Sequence, residues 1–310
     1  MGLCSPTFNP DQDIPDLSEQ VVIVTGGNAG LGLETVRQLA KNNPSRVYLA
    51  ARSKEKAEAA IKQLKDADPD CAPIAFLHLD LSSFQSIIAA AQTFKASESR
   101  LDILVNNAGI MMTAEGLTKD GYEIQFGTNV MGPALFTQLL QPVLQRTAKI
   151  NPQTRVVNLS SASESVAPGD IYKFDELKTT MPNRHTTARY ALSKIADIHY
   201  TTAMAEKYKD VKFISVHPGM VATNLHHDST GTFLKPFLNT AVVLFATPVE
   251  KGAYSQLWAA VSPDAQSGEF YGPVGVAGKG SKLSQDRVLG EQLWDWIQGE
   301  LREVLQVHGN

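Results

Sequence analysis

Cysteine is nearly absent from this chain. Cys4 and Cys71 are its only two in 310 residues, and they lie far apart. They can build neither a disulfide framework nor a cysteine metal site, which fits a reducing, cytoplasmic setting. Blocks of five or six basic residues are absent as well. The net charge is −4 and the pI near 6.0, which argues against a nucleic-acid surface. Long apolar runs are missing: "AVVLFA" (241–246) is far too short to span a bilayer, so no transmembrane segment is expected. The first residues are polar and Pro-rich and lack the apolar stretch of a signal peptide. They begin Met-Gly with Cys4 close by, a hint of acylation, yet Pro6 stands where the pattern wants Ser or Thr. Residues 1–17 read as a flexible arm or cover segment, and 18–310 as one domain without an internal boundary or repeat.

Apolar strand-like runs alternate with helical patterns. The runs are "VVIVTG" (21–26), "RVYLAAR" (46–52), "IAFLHLD" (74–80), "LDILVNNAG" (101–109), "RVVNLSS" (155–161) and "VKFISVHPG" (211–219). Continuous apolar strands separated by helices imply a parallel sheet covered on both faces, with right-handed crossovers. The predicted fold is therefore α/β and doubly wound, of the Rossmann type. A docked C-terminal helix is expected over about 284–307, because Leu293, Trp294, Ile297, Leu301 and Leu305 fall near helical spacing. "TPVE" (247–250) reads as a helix start, with Thr247 as cap, Pro248 first and Glu250 closing a capping box. Segments 162–188 and 220–246 are expected to be lids or walls over a substrate.

"VVIVTGGNAGLG" (21–32) is a strand, a Gly-rich turn and a helix start. Its glycines, Gly26, Gly30 and Gly32, let the backbone approach a pyrophosphate at a helix N-terminus. By itself such a turn is a weak sign of a dinucleotide site. At the end of the second strand, where NAD-binding folds carry an acidic residue, this chain has Ala51 and Arg52. An arginine there suits a 2′-phosphate, so NADP(H) is favoured over NAD(H). A solvated, mixed-charge helix start is the bland alternative.

Tyr190 and Lys194 lie one helical turn apart in "TTARYALSKIADIHY" (186–200), on one face. With "TGGNAGLG" (25–32), "NNAG" (106–109), Asn129, "NLSS" (158–161) and "HPGMVAT" (217–223), they fall in the order found in short-chain dehydrogenases/reductases. The resemblance covers roughly residues 18–275 and leans toward the subgroup with retinol dehydrogenases and fungal reductases. It implies Tyr190 as acid/base, Lys194 lowering its pKa and holding the nicotinamide ribose, Ser161 polarising the substrate oxygen, and Asn129 supporting Lys194 through a water. Ser160 is the fallback for Ser161, since neighbouring strand residues point to opposite faces.

The same resemblance implies cofactor contacts from Gly26, Asn28, Gly30, Leu31, Gly32, Arg52, Asp80, Leu81, Asn107, Ala108, Gly109, Asn129, Tyr190, Lys194, Pro218, Gly219, Val221 and Thr223. Met111 and Met220, with Ser161 and Tyr190, are expected against the substrate. Adjacent His226, His227 and Asp228 lack a further spaced ligand, so no metal is expected. Homodimers are implied through the helices bearing Asn129 and Tyr190. The expected activity is hydride transfer between NADP(H) and a ketone, aldehyde or alcohol of an apolar small molecule, in secondary metabolism. The rivals are a non-redox enzyme on the same fold (cyclisation or isomerisation) and an NADP(H)-binding regulatory protein.

Overall fold

The computed structural model describes residues 8–219, 221 and 247–309. Calls that fall on Gly2, Cys4, Met220, Thr223, His226, His227, Asp228 and the lid 220–246 otherwise lie outside the described residues. The described elements are α1 (Pro10–Asp13), β1 (Val21–Thr25), α2 (Gly30–Ala40), β2 (Arg46–Ala51), α3 (Lys54–Ala67), β3 (Ile74–His78) and α4 (Phe84–Ser97). β4 (Ile103–Asn106), α5 (Ile124–Phe126), a π-helical turn (Gly127–Met131), α6 (Gly132–Ala148), β5 (Arg155–Leu159) and α7 (Thr186–Lys207) follow. The chain continues through β6 (Lys212–Val216), α8 (Val249–Gly252), α9 (Tyr254–Val261), β7 (Phe270–Gly272), β8 (Val276–Ala277) and α10 (Arg287–His308).

The strands form one sheet in the order β3-β2-β1-β4-β5-β6-β7-β8. β3 through β7 run parallel across it, and β8 closes the edge antiparallel to β7. β1 shows why the strands are apolar throughout. Val21 and Ile23 enter the core under α4, α6, α7 and α10, while Val22 and Val24 enter the core under α2, α3 and α9. A strand covered on both faces has no solvent side to fill with polar residues. The order reverses between β1 and β4, so the loops after these two strands part and open a crevice at their carboxyl ends.

The sequence reading missed β7 and β8, which are too short to show a period. It also drew the fourth strand too long, because Asp102 turns inward and accepts from the Val21 amide at 2.9 Å. The helix start at 247–250 falls one residue later than expected. Pro248 takes the cap position without a side-chain bond, and Thr247 instead forms a parallel bridge with Val221. Within the expected arm, Ile14 and Leu17 are buried in the second core, so residues 8–17 cover the sheet rather than hang free.

The expected lid 162–188 is docked against α10. Phe174 stacks on Trp296 with ring centres 5.3 Å apart, and Lys178 pairs with Glu300 at 2.8 Å. Arg184 ties the segment to itself through Asp170 and Glu176. α10 begins at Arg287, where Asp286 accepts from the Val288 and Leu289 amides. It packs along α7 and α6, with Leu293, Ile297 and Leu301 fully buried and Trp294 stacked on Tyr200. Leu293→Ala removes a side chain that is wholly enclosed there. The expected loss of stability is about 2–5 kcal/mol, read by urea unfolding.

Candidate active site

The crevice is built by the turn after β1. Gly26 and Gly30 take positive φ (+66° and +53°), a conformation that suits glycine. A Cβ on Gly32 would come within 2.3 Å of the Gly26 carbonyl and 2.5 Å of Asn107 Nδ2. α2 therefore packs tightly on the turn, and its Ala29 cap offers no side chain to the first amides. Those free N–H groups and the positive dipole end face the crevice. Asn107 belongs to the scaffold: its Nδ2 donates to the Thr25 carbonyl at 2.9 Å. The Ala108 amide donates to Thr25 Oγ1 at 3.0 Å.

Two chambers share Gly26, Ala108, Gly109 and Ile110. One, about 280 Å³, is lined by Gly30, Leu31, Asn107, Ser160, Tyr190, Lys194 and Pro218. The other, about 410 Å³, is lined by Asn28, Arg52, Asp80, Leu81, Met111 and Thr128. A separate cavity of about 300 Å³ behind α7, lined by His199, Glu206 and Arg287, holds none of these residues. The Arg52 side chain is exposed and makes no hydrogen bond or ion pair among the described residues. Asp80 is engaged: Oδ1 accepts from Ser82 N (3.0 Å) and Oγ (2.6 Å), and Oδ2 lies 3.4 Å from Lys119. Burial pushes its carboxyl up, but these bonds outweigh it and leave the pKa lowered. Met111 lines the Arg52 chamber and not the one holding Tyr190. The chain turns at Met112, whose φ is +50° and whose amide donates to Gln125.

At the other end, Tyr190 is 7% exposed, and Ser161 beside it acts to lower its pKa. Ser161 Oγ also accepts from the Ser163 amide at 3.2 Å. Ser160 is spent elsewhere, because its hydroxyl donates to the Lys194 carbonyl at 2.6 Å. Lys194 Nζ donates to the Leu159 carbonyl (2.7 Å) and to Asp197 Oδ2 (2.9 Å). It stands 5.9 Å from the Tyr190 ring centre.

Burial pushes the tyrosine pKa up; Lys194 lowers it, as expected, and so does Ser161, but burial outweighs both and leaves it raised. Asn129 sits in the π-helical turn, a local widening frequent at functional sites. Its amide is committed. Oδ1 accepts from the Ile110 amide at 2.8 Å, and Nδ2 donates to the Ile110 carbonyl and Ser193 Oγ, both at 2.9 Å. Asn129 and Lys194 approach each other only around Gly109, whose Cβ would lie 3.1 Å from Asn129 Oδ1 and 3.8 Å from Lys194 Nζ. Gly219 takes φ +90° beside Pro218, and Val221 packs against Gly252 of α8.

Two residues of the site were missed in the sequence. Asp197 lies three positions after Lys194, a spacing that puts it on the same helical face. Gln256 of α9 gave no signal: its Nε2 donates to the Leu31 carbonyl and Asn107 Oδ1, both at 3.3 Å, and to Thr35.

Comparison with known proteins agrees with this geometry. A family profile described as short chain dehydrogenase matches residues 20–172. A short-chain dehydrogenase/reductase of Armillaria gallica is 40% identical over 97% of this chain and 98% of its own. The chain belongs to the short-chain dehydrogenase/reductase family. It is an oxidoreductase of a family that uses nicotinamide cofactors. A polyprenol dehydrogenase of Danio rerio is 34% identical over 93% of the chain and 89% of the relative. A solved structure of an uncharacterised Mycobacterium paratuberculosis protein superposes with a TM-score of 0.73 at 26% identity, covering 95% and 97% of the two chains.

The turn at Gly26 and Gly30, the open α2 amides and the joined chambers fit a nicotinamide dinucleotide. One further group in this dehydrogenase/reductase titrates away from its usual range. His217, at the end of β6, has no partner for Nδ1 among the described residues, and burial drops its pKa to about 4. The folded state therefore keeps it neutral while the unfolded chain takes a proton below about 6.5. Its contribution is lost as pH falls from about 6.5 toward 4. In urea unfolding, the stability of the wild type relative to His217→Asn is expected to decline across that window.

Proposed function

We propose that this chain is an NADP(H)-dependent reductase of ketones or aldehydes on apolar small molecules. The observation that carries this reading is the buried Tyr190, beside Lys194 and near Ser161, at the end of the dinucleotide crevice. When bound, NADPH would supply the hydride. The chain's own residues deal with the substrate oxygen. Ser161 orients it and stabilises the charge that develops on it, and Tyr190 gives it a proton. Burial keeps the phenol protonated, the form that donates during carbonyl reduction. Lys194 keeps a positive charge beside the phenol, and Asn129 fixes Ile110 in the wall that the two chambers share.

The preference for NADP(H) rests on Arg52. It lines the chamber with Asn28 and Asp80, has no ion-pair partner among the described residues, and follows Ala51 instead of a carboxylate. A free guanidinium there can grip a 2′-phosphate bidentately. Apolar lining by Leu31, Ile110 and Leu159 beside Tyr190, and kinship with a polyprenol dehydrogenase, support an apolar substrate. The intact acid/base site weighs against the non-redox and regulatory alternatives, since neither needs Tyr190 and Lys194 together.

Absorbance of NADPH against a panel of carbonyl compounds tests the reading. Tyr190→Phe is expected to lower turnover about a thousandfold while NADPH still binds. Full turnover by that variant would refute the assigned acid. Arg52→Ala is expected to raise KM for NADPH about 10- to 100-fold and leave NADH use nearly unchanged. Equal losses with both cofactors would remove the NADP(H) assignment.

A further inference from the structure

Lys194 does not serve Tyr190 alone. Its ammonium is clamped between the Leu159 carbonyl at 2.7 Å and the Asp197 carboxylate at 2.9 Å. Asp197 is 7% exposed, and Lys194 is its ion-pair partner among the described residues. A carboxylate buried this deeply is costly, and the fold keeps it one turn from Lys194 and two from Tyr190. An anion beside proton-bearing groups strengthens their hold on their protons. The phenol and the ammonium are neighbours, so their protons leave in steps that belong to the pair. A nearby negative charge delays the first loss, whichever group gives it up.

We propose that Asp197 is a positioning residue that fixes Lys194 and strengthens the hold of the Tyr190–Lys194 pair on its protons. This rests on the reading of Tyr190 as the proton donor.

The surroundings leave the carboxylate to act on that pair. From its own helix it faces Lys194 and Tyr190. From the segment before α7 it faces Tyr172, a buried phenol whose hydroxyl lies 2.7 Å from His199 Nδ1. His199 Nε2 is held in turn by the Leu283 carbonyl at 2.9 Å. Ser161, after β5, reaches Tyr190, and His217, at the end of β6, is shifted by burial alone. Lys194 is thus the cation among these groups. Burial weighs against its charge, and Asp197 and Tyr190 more than restore it. Burial also raises Asp197 to about 6 against the pull of Lys194, so the carboxylate is charged at neutral pH and neutral in acid.

The experiment is a ¹³C NMR titration of the full chain, free and NADPH-loaded, with lysine labelled at Cε and tyrosine at Cζ. Lys194→Met and Tyr190→Phe identify the two signals. In Asp197→Asn, which keeps size and hydrogen bonding, the first proton loss of the pair is expected about one pH unit lower than in the wild type. The alkaline limb of kcat/KM for carbonyl reduction should move with it. If Asp197→Asn fails to fold, the smaller Asp197→Ser is read the same way. A first proton loss at unchanged or higher pH overturns the proposal. That failure is separable from failure of the functional reading. An unshifted titration in an enzyme silenced by Tyr190→Phe removes the Asp197 role alone. Full turnover by Tyr190→Phe removes the proton donor and with it the functional reading.

Discussion

A lysine ammonium held out of water constrains everything around it. Lys194 keeps its charge because β5 ends with the Leu159 carbonyl turned toward it and α7 presents Asp197 one turn on. Without such partners, burial would strip the proton from the lysine. Satisfying that charge fixes the seam between β5 and α7. The Ser160 hydroxyl reinforces the seam by bonding back to the Lys194 carbonyl. Ser161, the next residue, is left facing Tyr190.

The crevice beside this seam depends on the reversal of strand order between β1 and β4. Close packing of α2 on the turn at Gly26, and stitches from Asn107 and Gln256, hold the mouth open in a fixed shape. On the far side of α7, the C-terminal helix and the segment 162–188 form an aromatic layer of Phe174, Trp296, Tyr122 and Trp294. That layer buries the outer surface of α6 and α7 and keeps the helix bearing Tyr190 from moving against the sheet. Material expected to cover the substrate braces the catalytic helix from behind.

Much of the fold was legible because its periods are long and its strands are covered on both faces. The runs at 21–26, 46–52 and 155–161 became β1, β2 and β5 nearly as read. β7 and β8 were not legible, since two or three residues cannot show a period and their pairing is supplied by β6. At the site, Tyr190, Lys194 and Ser161 could be found from spacing and order, and the structure brings them together. The electrostatics could not. The lowered tyrosine pKa expected from a neighbouring lysine gives way to burial, which favours the neutral phenol. The side-chain bonds of Asn129 to Ile110 and Ser193 were likewise not legible in the sequence.

The sequence by itself determined the doubly wound architecture, the glycine turn and the tyrosine–lysine spacing. These rest on local periodicity and on backbone freedom that belong to residue types. Only the tertiary structure decided how the lysine charge is shared, which serine is free, where Met111 points and what covers α6 and α7. Those outcomes depend on contacts between residues far apart in the chain, and on burial, which no single stretch of sequence contains.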